Sequence, residues 1–493
     1  MPREVITVQC GQAGEQLGST FWELLLAEHG LTYEGGIGDH NVPDGCQNNV
    51  DCFFYEAHTG RRVPRSAMID LDTAVQSTID RSPMRHLFDY TYFVSNKEDA
   101  SSNYARGYIG VGRAVMRETN EAIRRQAEMC DSLQCFFLCR SLGGGTGSGL
   151  GSLVLESIAD EFGKKYLLDT VVWPSESQTS SVVEPYNAML AVPAMSSHSS
   201  AALLFDNAAL FGVCRNLLNV EAVFYTNLNQ LVAQVLSAVT LSTRFEGSLN
   251  STVEQTLVNT VPYPEVNFLT ASLAPLANRR RYRYERASTK DITMESFLPS
   301  RCLAEVNCAE GRFIACHLMY RGDVTPRDVQ EGIVAAKNSR AVRFVDWMPT
   351  GFKCSLNNRL LCVSRDSELA PAFQSCCMFA NNTAVTSVLE RTLGNARKMF
   401  SKRAFVNWFV AEGLEEGEFS EADERLQQKI NDYNESVADV EYYYKYAEPV
   451  KKEREEETPQ STPTTAPSSP TFGDKRDSDA EEKLASVVAA LAG

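Results

Sequence analysis

The sequence predicts an α/β protein: a parallel-sheet N-terminal domain, a long central helix, an α+β intermediate domain and C-terminal helices. Three observations predict this class. Apolar strand-like runs alternate with amphipathic helical segments through the first third of the chain. Glycine-rich or acidic loops follow the strands, and a long helical segment marks where the alternation stops. Such alternation is typical of a parallel sheet whose ligands bind at the carboxyl ends of its strands.

The elements of the first third are predicted from hydrophobic periodicity. The segment 12–29, for example, places Leu17, Phe21, Leu24 and Leu25 on one side of a helix. The predicted strands are 4–9, 66–71 and 133–139, and the predicted helices are 12–29 and 113–129.

A glycine run between a strand and a helix is the most informative motif. Residues 143–149 read Gly-Gly-Gly-Thr-Gly-Ser-Gly. Glycines let the backbone approach a ligand closely, and the first amides of the following helix point outward, so the run predicts a phosphate cradle. It matches neither the phosphate-loop signature, which needs a Lys, nor the dinucleotide fingerprint. A flexible linker is the plain alternative, but the flanking strand and helix disfavour it.

Composition limits the function classes. The chain has 493 residues, a formal net charge of −16 and 14 Cys without a C-x-x-C pair. We therefore expect a cytoplasmic protein of two to four domains with reduced, mostly buried thiols. The acidic balance disfavours a nucleic-acid partner. No apolar run is long enough to span a membrane, and the polar start predicts no secretory leader.

The region boundaries follow from changes in pattern. A helix from Tyr225 carries a continuous apolar face, the alternation ends near Arg244, and a Pro-, Ser- and Thr-rich composition begins after Tyr446. The predicted regions are a nucleotide-binding domain 1–224, a central helix 225–243, an intermediate domain 244–383, a C-terminal helical region 384–445 and a disordered tail 446–493.

In its strand–helix setting, the glycine run resembles that of the tubulin and FtsZ families, and the resemblance covers about residues 1–445 with the loops in the same order. It implies GTP and Mg²⁺ as cofactors. It further implies that Glu184 accepts from the ribose, that Tyr225 stacks on the base, and that Asn207 and Asn229 bind the guanine edge. The implied nucleotide contacts are Gln12, Ala13, Ser141, Gly144, Gly145, Thr146, Gly147, Glu184, Asn207, Tyr225 and Asn229.

Two acids at a strand end complete the implied site. The resemblance gives Asp70 and Asp72 the task of holding the metal, and Mg²⁺ prefers such hard oxygen ligands. Taken alone, these acids also fit a solvated strand end. In the third loop, Ser102 stands where tubulins usually have Asn, and its shorter side chain reaches less far toward the terminal phosphate.

The loop that acts on a neighbouring subunit's GTP departs from the family pattern. Thr252 stands where the family has Asp, and Gln255 stands where α-tubulin has its catalytic Glu, with Glu254 one place earlier. Glu254 and Gln255 are the candidate catalytic residues. A Gln can position water but cannot take its proton, and neighbouring helix residues point about 100° apart. We therefore expect weak or absent activation of a partner's GTP, and surface charge is the plain reading of Glu254.

The expected partners are other tubulins or centriolar proteins. Residues 279–286, Arg-Arg-Arg-Tyr-Arg-Tyr-Glu-Arg, predict an acidic partner, although a solvated loop would explain them too. Residues 130–137 and 244–250 resemble the zeta and epsilon group, which is associated with centrioles and basal bodies. This predicts a structural or scaffolding protein of the cytoskeleton. The alternatives are an α-like, assembly-dependent GTPase subunit of microtubules and a Rossmann-class enzyme, for which the fingerprint is missing.

Overall fold

A ten-stranded sheet runs through the protein and carries helices on both faces. The computed structural model describes residues 3–38, 49–279, 287–348, 350–364 and 367–437. The predicted tail and nearly all of the basic segment 279–286 lie outside these ranges. Arg279 is described, and its backbone amide donates to the carbonyl of Glu368 at 3.3 Å.

The strands of the large sheet follow the order β11-β10-β12-β9-β8-β7-β6-β1-β4-β5, and a two-stranded sheet pairs β2 with β3. The seven strands from β5 to β9 in that order are parallel, whereas β12 runs antiparallel to both of its neighbours. The strands are β1 (Glu4–Cys10), β2 (Phe54–Glu56), β3 (Arg62–Pro64), β4 (Ser66–Asp70), β5 (Phe93–Ser95), β6 (Leu133–Ser141), β7 (Tyr166–Trp173), β8 (Ala201–Asp206), β9 (Phe268–Ala274), β10 (Phe313–Gly322), β11 (Phe352–Asn357) and β12 (Gln374–Asn382).

The helices form a layer on each face. The described helices are α1 (Gly11–His29), α2 (Ala74–Arg81), α3 (Val111–Glu128), α4 (Gly151–Glu161), α5 (Glu184–His198), α6 (Asn207–Asn216), α7 (Tyr225–Arg244), α8 (Val253–Thr260), α9 (Thr289–Ser296), α10 (Pro326–Asn338), α11 (Thr386–Phe400), α12 (Val406–Ala411) and α13 (Glu416–Glu435). One apolar core lies under α1 and α7, and the other under α3, α4 and α5. Among the described helices, none has the length and apolar content to cross a bilayer.

The elements predicted for the first third are confirmed to within two residues at each end. The strands are easy to predict because helices cover both faces of a parallel sheet, and its central strands are therefore apolar throughout. All seven residues of β1 are buried, for instance. Of the 13 described cysteines, ten are buried and none forms a disulfide, as expected of structural thiols.

A buried ionic cluster joins helices α1 and α7 to strand β10. Glu28 accepts from Arg244 at 2.6 Å and from Arg321 at 2.7 Å, and Ser237 donates to both carboxylate oxygens. Burial by itself raises the pKa of Glu28, but the two guanidinium groups lower it to about 2. Because these contacts connect residues about 290 positions apart, the predicted intermediate region packs onto the predicted nucleotide-binding region.

Candidate nucleotide-binding site

The predicted nucleotide loops follow strands whose carboxyl ends share one edge of the sheet. The segments that follow β1, β4, β6 and β8 begin at Gly11, Leu71, Leu142 and Asn207, and Asp70 is the last residue of β4. Ligands of parallel α/β sheets bind at this edge. Two strand spacings, about 10 Å, separate β6 from β8. That separation suits a nucleotide whose phosphates lie on the β6 loop and whose base lies near β8.

The glycines of this loop other than Gly144 pack closely against neighbouring atoms, whereas Gly144 borders open space. A Cβ built on Gly145 would lie 2.5 Å from the amide nitrogen of Asn103, and one built on Gly147 would lie 2.2 Å from the carbonyl oxygen of Ser141. A Cβ on Gly144 would meet nothing within 4 Å. The neighbouring glycines therefore allow close packing, while Gly144 borders the open space that the phosphate prediction requires.

A buried ion pair supports this loop from below. Arg140 and Asp169 have no exposed surface and are 2.6 Å apart. The same guanidinium donates to the carbonyl of Gly147 at 3.4 Å and to the hydroxyl of Ser152 at 3.2 Å. These contacts fix the turn in which residues 146–150 lead into α4.

Asn187 connects the third and fourth loops, a role that the sequence does not predict. Its fully buried side chain donates to the carbonyls of Ser102 and Gly143, each at 2.8 Å, and accepts from the amide of Tyr104 at 3.1 Å. A carboxamide can donate and accept at once, which a bridge between two loops requires. The available signal is a carboxamide within the largely apolar run 185–195 of α5, since buried amides are almost always hydrogen-bonded.

The third loop carries local backbone strain. Ser101 and Ser102 have φ values of 49° and 55°, in the left-handed region that non-glycine residues other than Asn and Asp seldom adopt. The carbonyl of Ser102 accepts from Asn187, as described above. The third loop therefore lies beside the glycine loop, as predicted. Ser102 departs from the family both in its short side chain and in occupying the left-handed region without being Asn or Gly.

The predicted metal ligands lie in an acidic environment. Asp70 is 5% exposed and accepts from the backbone amide of Leu71 at 2.7 Å. Burial raises the pKa of Asp70 to about 6; backbone amides oppose this rise, and the charges of Asp72 and Asp99 add to it. A buried carboxylate whose charged neighbours are other carboxylates favours a cation. These residues therefore fit Mg²⁺, and the open side of the glycine loop fits the phosphates.

The predicted sugar and base contacts lie further along the same edge. Glu184 is buried, and its Oε1 accepts from the amide and hydroxyl of Ser180 and from the amide of Ser181 at 2.7–3.0 Å. Tyr225 is 55% exposed at the start of α7, edge-on to Phe211 with ring centroids 5.9 Å apart.

The remaining predicted contacts differ in exposure. Gln12 and Gly144 are exposed, Ala13, Ser141, Asn207 and Asn229 are partly buried, and Gly145, Thr146 and Gly147 are buried. The buried members shape the loop with their backbone. The individual roles of all these residues remain predictions.

The two candidate catalytic residues lie near the amino ends of the parallel strands, opposite the nucleotide loops. Thr252 and Gln255 form a reciprocal capping box at the start of α8, with Gln255 Oε1 accepting from the Thr252 amide at 3.3 Å. Glu254 accepts from Tyr166, the first residue of β7, at 3.2 Å. The sequence Thr-Val-Glu-Gln has the spacing of a capping box, with Thr at the N-cap and Gln three residues later.

The fold and the site define a nucleotide-binding α/β protein with a glycine-rich phosphate cradle. The chain belongs to the tubulin family. Residues 4–215 match the family model described as "Tubulin/FtsZ family, GTPase domain", and residues 264–393 match "Tubulin C-terminal domain". The chain is 41% identical over 433 residues to the Tubulin alpha-1 chain of Arabidopsis thaliana, covering 88% of this chain and 96% of the relative. The Tubulin alpha chain of the Guillardia theta nucleomorph is equally similar, with 97% of its length covered.

Membership confirms the predicted cofactors, since the tubulin GTPase domain binds GTP with Mg²⁺. The chain is thus a GTP-binding cytoskeletal protein of the tubulin family. When bound, the cation would supply charge neutralisation at the phosphates. The residues predicted to hold these cofactors are Gly144, Asp70 and Asp72, and the amide of Asn187 links two of the loops.

Proposed function

We propose that this chain is a tubulin subunit that binds GTP stably and has a structural or scaffolding role at centrioles, basal bodies or their microtubules. Its partners in this role are other tubulins or centriolar proteins in the cytoplasm. The resemblance of residues 130–137 and 244–250 to the zeta and epsilon group supports the location. The observation that carries the proposal is the capping box between Thr252 and Gln255.

The capping box engages the side chain of Gln255, the residue that would have to act on a neighbouring subunit's GTP. Gln255 Oε1 is hydrogen-bonded to the Thr252 amide within its own chain. A glutamine lacks the basicity of a carboxylate, and here its oxygen is already engaged. Glu254, the nearest carboxylate, is held by Tyr166 OH at 3.2 Å and faces the Gln134 amide at 3.5 Å. Both features support slow hydrolysis of GTP at a subunit interface.

Exposed apolar side chains at both edges support end-to-end association with another subunit. Val182 and Phe224 flank predicted nucleotide contacts and are 67% and 66% exposed. At the opposite edge, Val258 on α8 and Tyr263 are 61% and 52% exposed. Pairing one edge with the other would bury these groups. It would also bring the α8 edge of one subunit to the nucleotide edge of the next.

An α-like GTPase subunit of microtubules is the second candidate. The two relatives described above are both α chains, and each is matched over nearly its whole length. This candidate requires efficient hydrolysis at the neighbouring site despite Gln255. The two functions therefore differ in turnover, and also in whether the protein concentrates at centrioles or lies along entire microtubules.

Substitution of Gln255 by Glu tests the proposal. Because a capping box accepts either Glu or Gln at its third position, Q255E keeps the start of α8 intact while supplying a general base. We expect slow phosphate release from wild-type polymers formed with partner tubulin, and a rise of about 100-fold in Q255E polymers.

The matched control is Q330E, which makes the same change at an exposed position on α10 and should leave phosphate release unchanged. Fast release by wild-type polymers, with no gain in Q255E, would favour the α-like subunit instead. Imaging of the tagged full chain provides an independent test. Concentration at centrioles supports the structural role, and uniform decoration of microtubules contradicts it.

A further inference from the structure

Glu15 is a buried acid to which no nucleotide contact was assigned. It lies in the second turn of α1, one turn after Gly11, and is 3% exposed. Its Oε2 is buried and has no hydrogen-bond partner. Because an unpaired carboxylate is costly to bury, an orphaned oxygen at this position calls for a ligand.

The position of Glu15 is above the strand ends that carry the metal site. Strands β1 and β4 are neighbours, and Cys10 at the end of β1 is in register with Ile69, one residue before Asp70. Helix α1 starts directly after β1 and packs against β4. A Cβ on Gly11 would lie 3.4 Å from the amide nitrogen of Gly147, so the first turn of α1 adjoins the glycine loop.

The charges around Glu15 point to the same ligand. Asp70 is the charged group that acts on Glu15. Asp70 in turn is affected by the charges of Asp72 and Asp99, and Arg140, which acts on Cys10 together with Glu15 and Asp70, is paired with Asp169 at 2.6 Å. Glu15 and Asp70 therefore lie near each other, and the guanidinium of Arg140 already balances another carboxylate. A cation is the partner that such a group lacks.

We propose that Glu15 is an additional acid of the magnesium site, which holds the cation through one of its bound waters. In the described part of the chain, no three His, Cys, Asp or Glu side chains already converge on one metal position. Phosphate oxygens and waters must therefore complete the shell, as is usual for Mg²⁺. Glu15 would accept from such a water through Oε2 and so orient it. This inference rests on the GTP-binding function.

The test measures cation affinity in the full-length, GTP-loaded protein, with Mn²⁺ as the probe and free Mn²⁺ followed by electron paramagnetic resonance. E15Q keeps the size of the side chain and removes its charge. We expect Mn²⁺ to bind about 10-fold more weakly, the usual effect of losing an outer-shell partner. E118Q, the same change at an exposed site on α3, should alter the affinity less than about 2-fold.

Two further readings separate the possible failures. Mn²⁺ affinity in E15Q equal to that in E118Q, with GTP still bound, would overturn the role of Glu15 and leave GTP binding intact. A wild-type protein that retains neither GTP nor Mn²⁺ would instead contradict the proposed function. If E15Q does not fold, E15D takes its place, because it keeps the charge but withdraws the oxygen by one methylene. Unchanged Mn²⁺ affinity in E15D would also overturn the proposal.

Discussion

The side-chain amide of Asn187 and the backbone carbonyl of Gly143 are joined by a 2.8 Å hydrogen bond inside the protein. A second bond from the same nitrogen reaches Ser102, and so one residue of α5 sets the distance between two nucleotide loops. Shape and affinity at the site should therefore depend on a residue that need not touch the ligand.

Replacing Asn187 with Ala should weaken both the fold and GTP binding. It leaves the carbonyl of Gly143 and the amide of Tyr104 without their partner in a buried place, where each unsatisfied group costs about 1–3 kcal/mol. We expect a clearly lower melting temperature and at least a 10-fold loss of GTP affinity. Thermal unfolding and nucleotide titration of the purified protein measure these effects. N434A, at an exposed position on α13, should change neither quantity.

Substitution of Gly144 separates ligand binding from stability. G144A places its methyl group in open space, so the free energy of unfolding should change by less than about 0.5 kcal/mol. The methyl group would occupy the space predicted for phosphate, and GTP affinity should fall by 10-fold or more. G147A should instead destabilise the protein, since its Cβ would lie 2.2 Å from the Ser141 carbonyl oxygen. Full GTP affinity in G144A would contradict the placement of the phosphates.

Replacing Ser102 with Asn should improve the third loop in two ways. Asn tolerates the left-handed backbone better than Ser, which predicts a gain of up to about 1 kcal/mol in stability. Its longer amide should also reach the terminal phosphate and tighten GTP binding. S101N shares the backbone benefit, because Ser101 has a φ of 49°. If S101N and S102N tighten GTP binding equally, the phosphate contact is wrong.

The Glu28 cluster predicts an acid-sensitive fold. The pKa of Glu28 falls from 4.5 to about 2 in the folded chain. The carboxylate therefore stabilises the fold above about pH 4.5, by about 3 kcal/mol, and this contribution is lost as the pH falls toward 2. E28Q should lower stability by about 3 kcal/mol at neutral pH and flatten the acid limb of a melting curve series from pH 3 to 7.

An exposed ion pair serves as the control for E28Q. Asp51 lies 2.6 Å from Arg62, but the two side chains are 55% and 27% exposed. Solvent screens such a pair, so D51N should cost less than about 1 kcal/mol. If D51N and E28Q lower the free energy of unfolding equally, the buried cluster stabilises the fold no more than an exposed ion pair does.

Local patterns in the sequence identified the parallel strands and their loops, but not the contacts between loops. The period of apolar residues defines β1, β6 and α1 because each has to bury a particular face. The bridge by Asn187 depends on three backbone groups that lie 44 to 85 positions away from it in the sequence, and no local pattern encodes it. The Thr252–Gln255 spacing does indicate a capping box, but the same Gln255 also aligns with a catalytic position of the family, and the sequence does not decide between the two roles.

The orphaned oxygen of Glu15 shows a second limit. The glycines identify the first loop, but the sequence predicts nothing for Glu15 beyond a place in helix α1. Only the burial of its side chain and the closeness of Asp70 show that it needs a partner. Helix propensity treats an exposed Glu and a buried one alike.

Identification of the nucleotide that the natively purified full-length chain carries decides whether the site works as described. Denaturation releases the nucleotide, and chromatography separates guanine from adenine compounds. About one guanine nucleotide per chain, mainly GTP, is the expected result for a subunit that hydrolyses slowly. A chain that carries no guanine nucleotide, or an adenine dinucleotide in its place, would contradict the site at Gly144 and Tyr225.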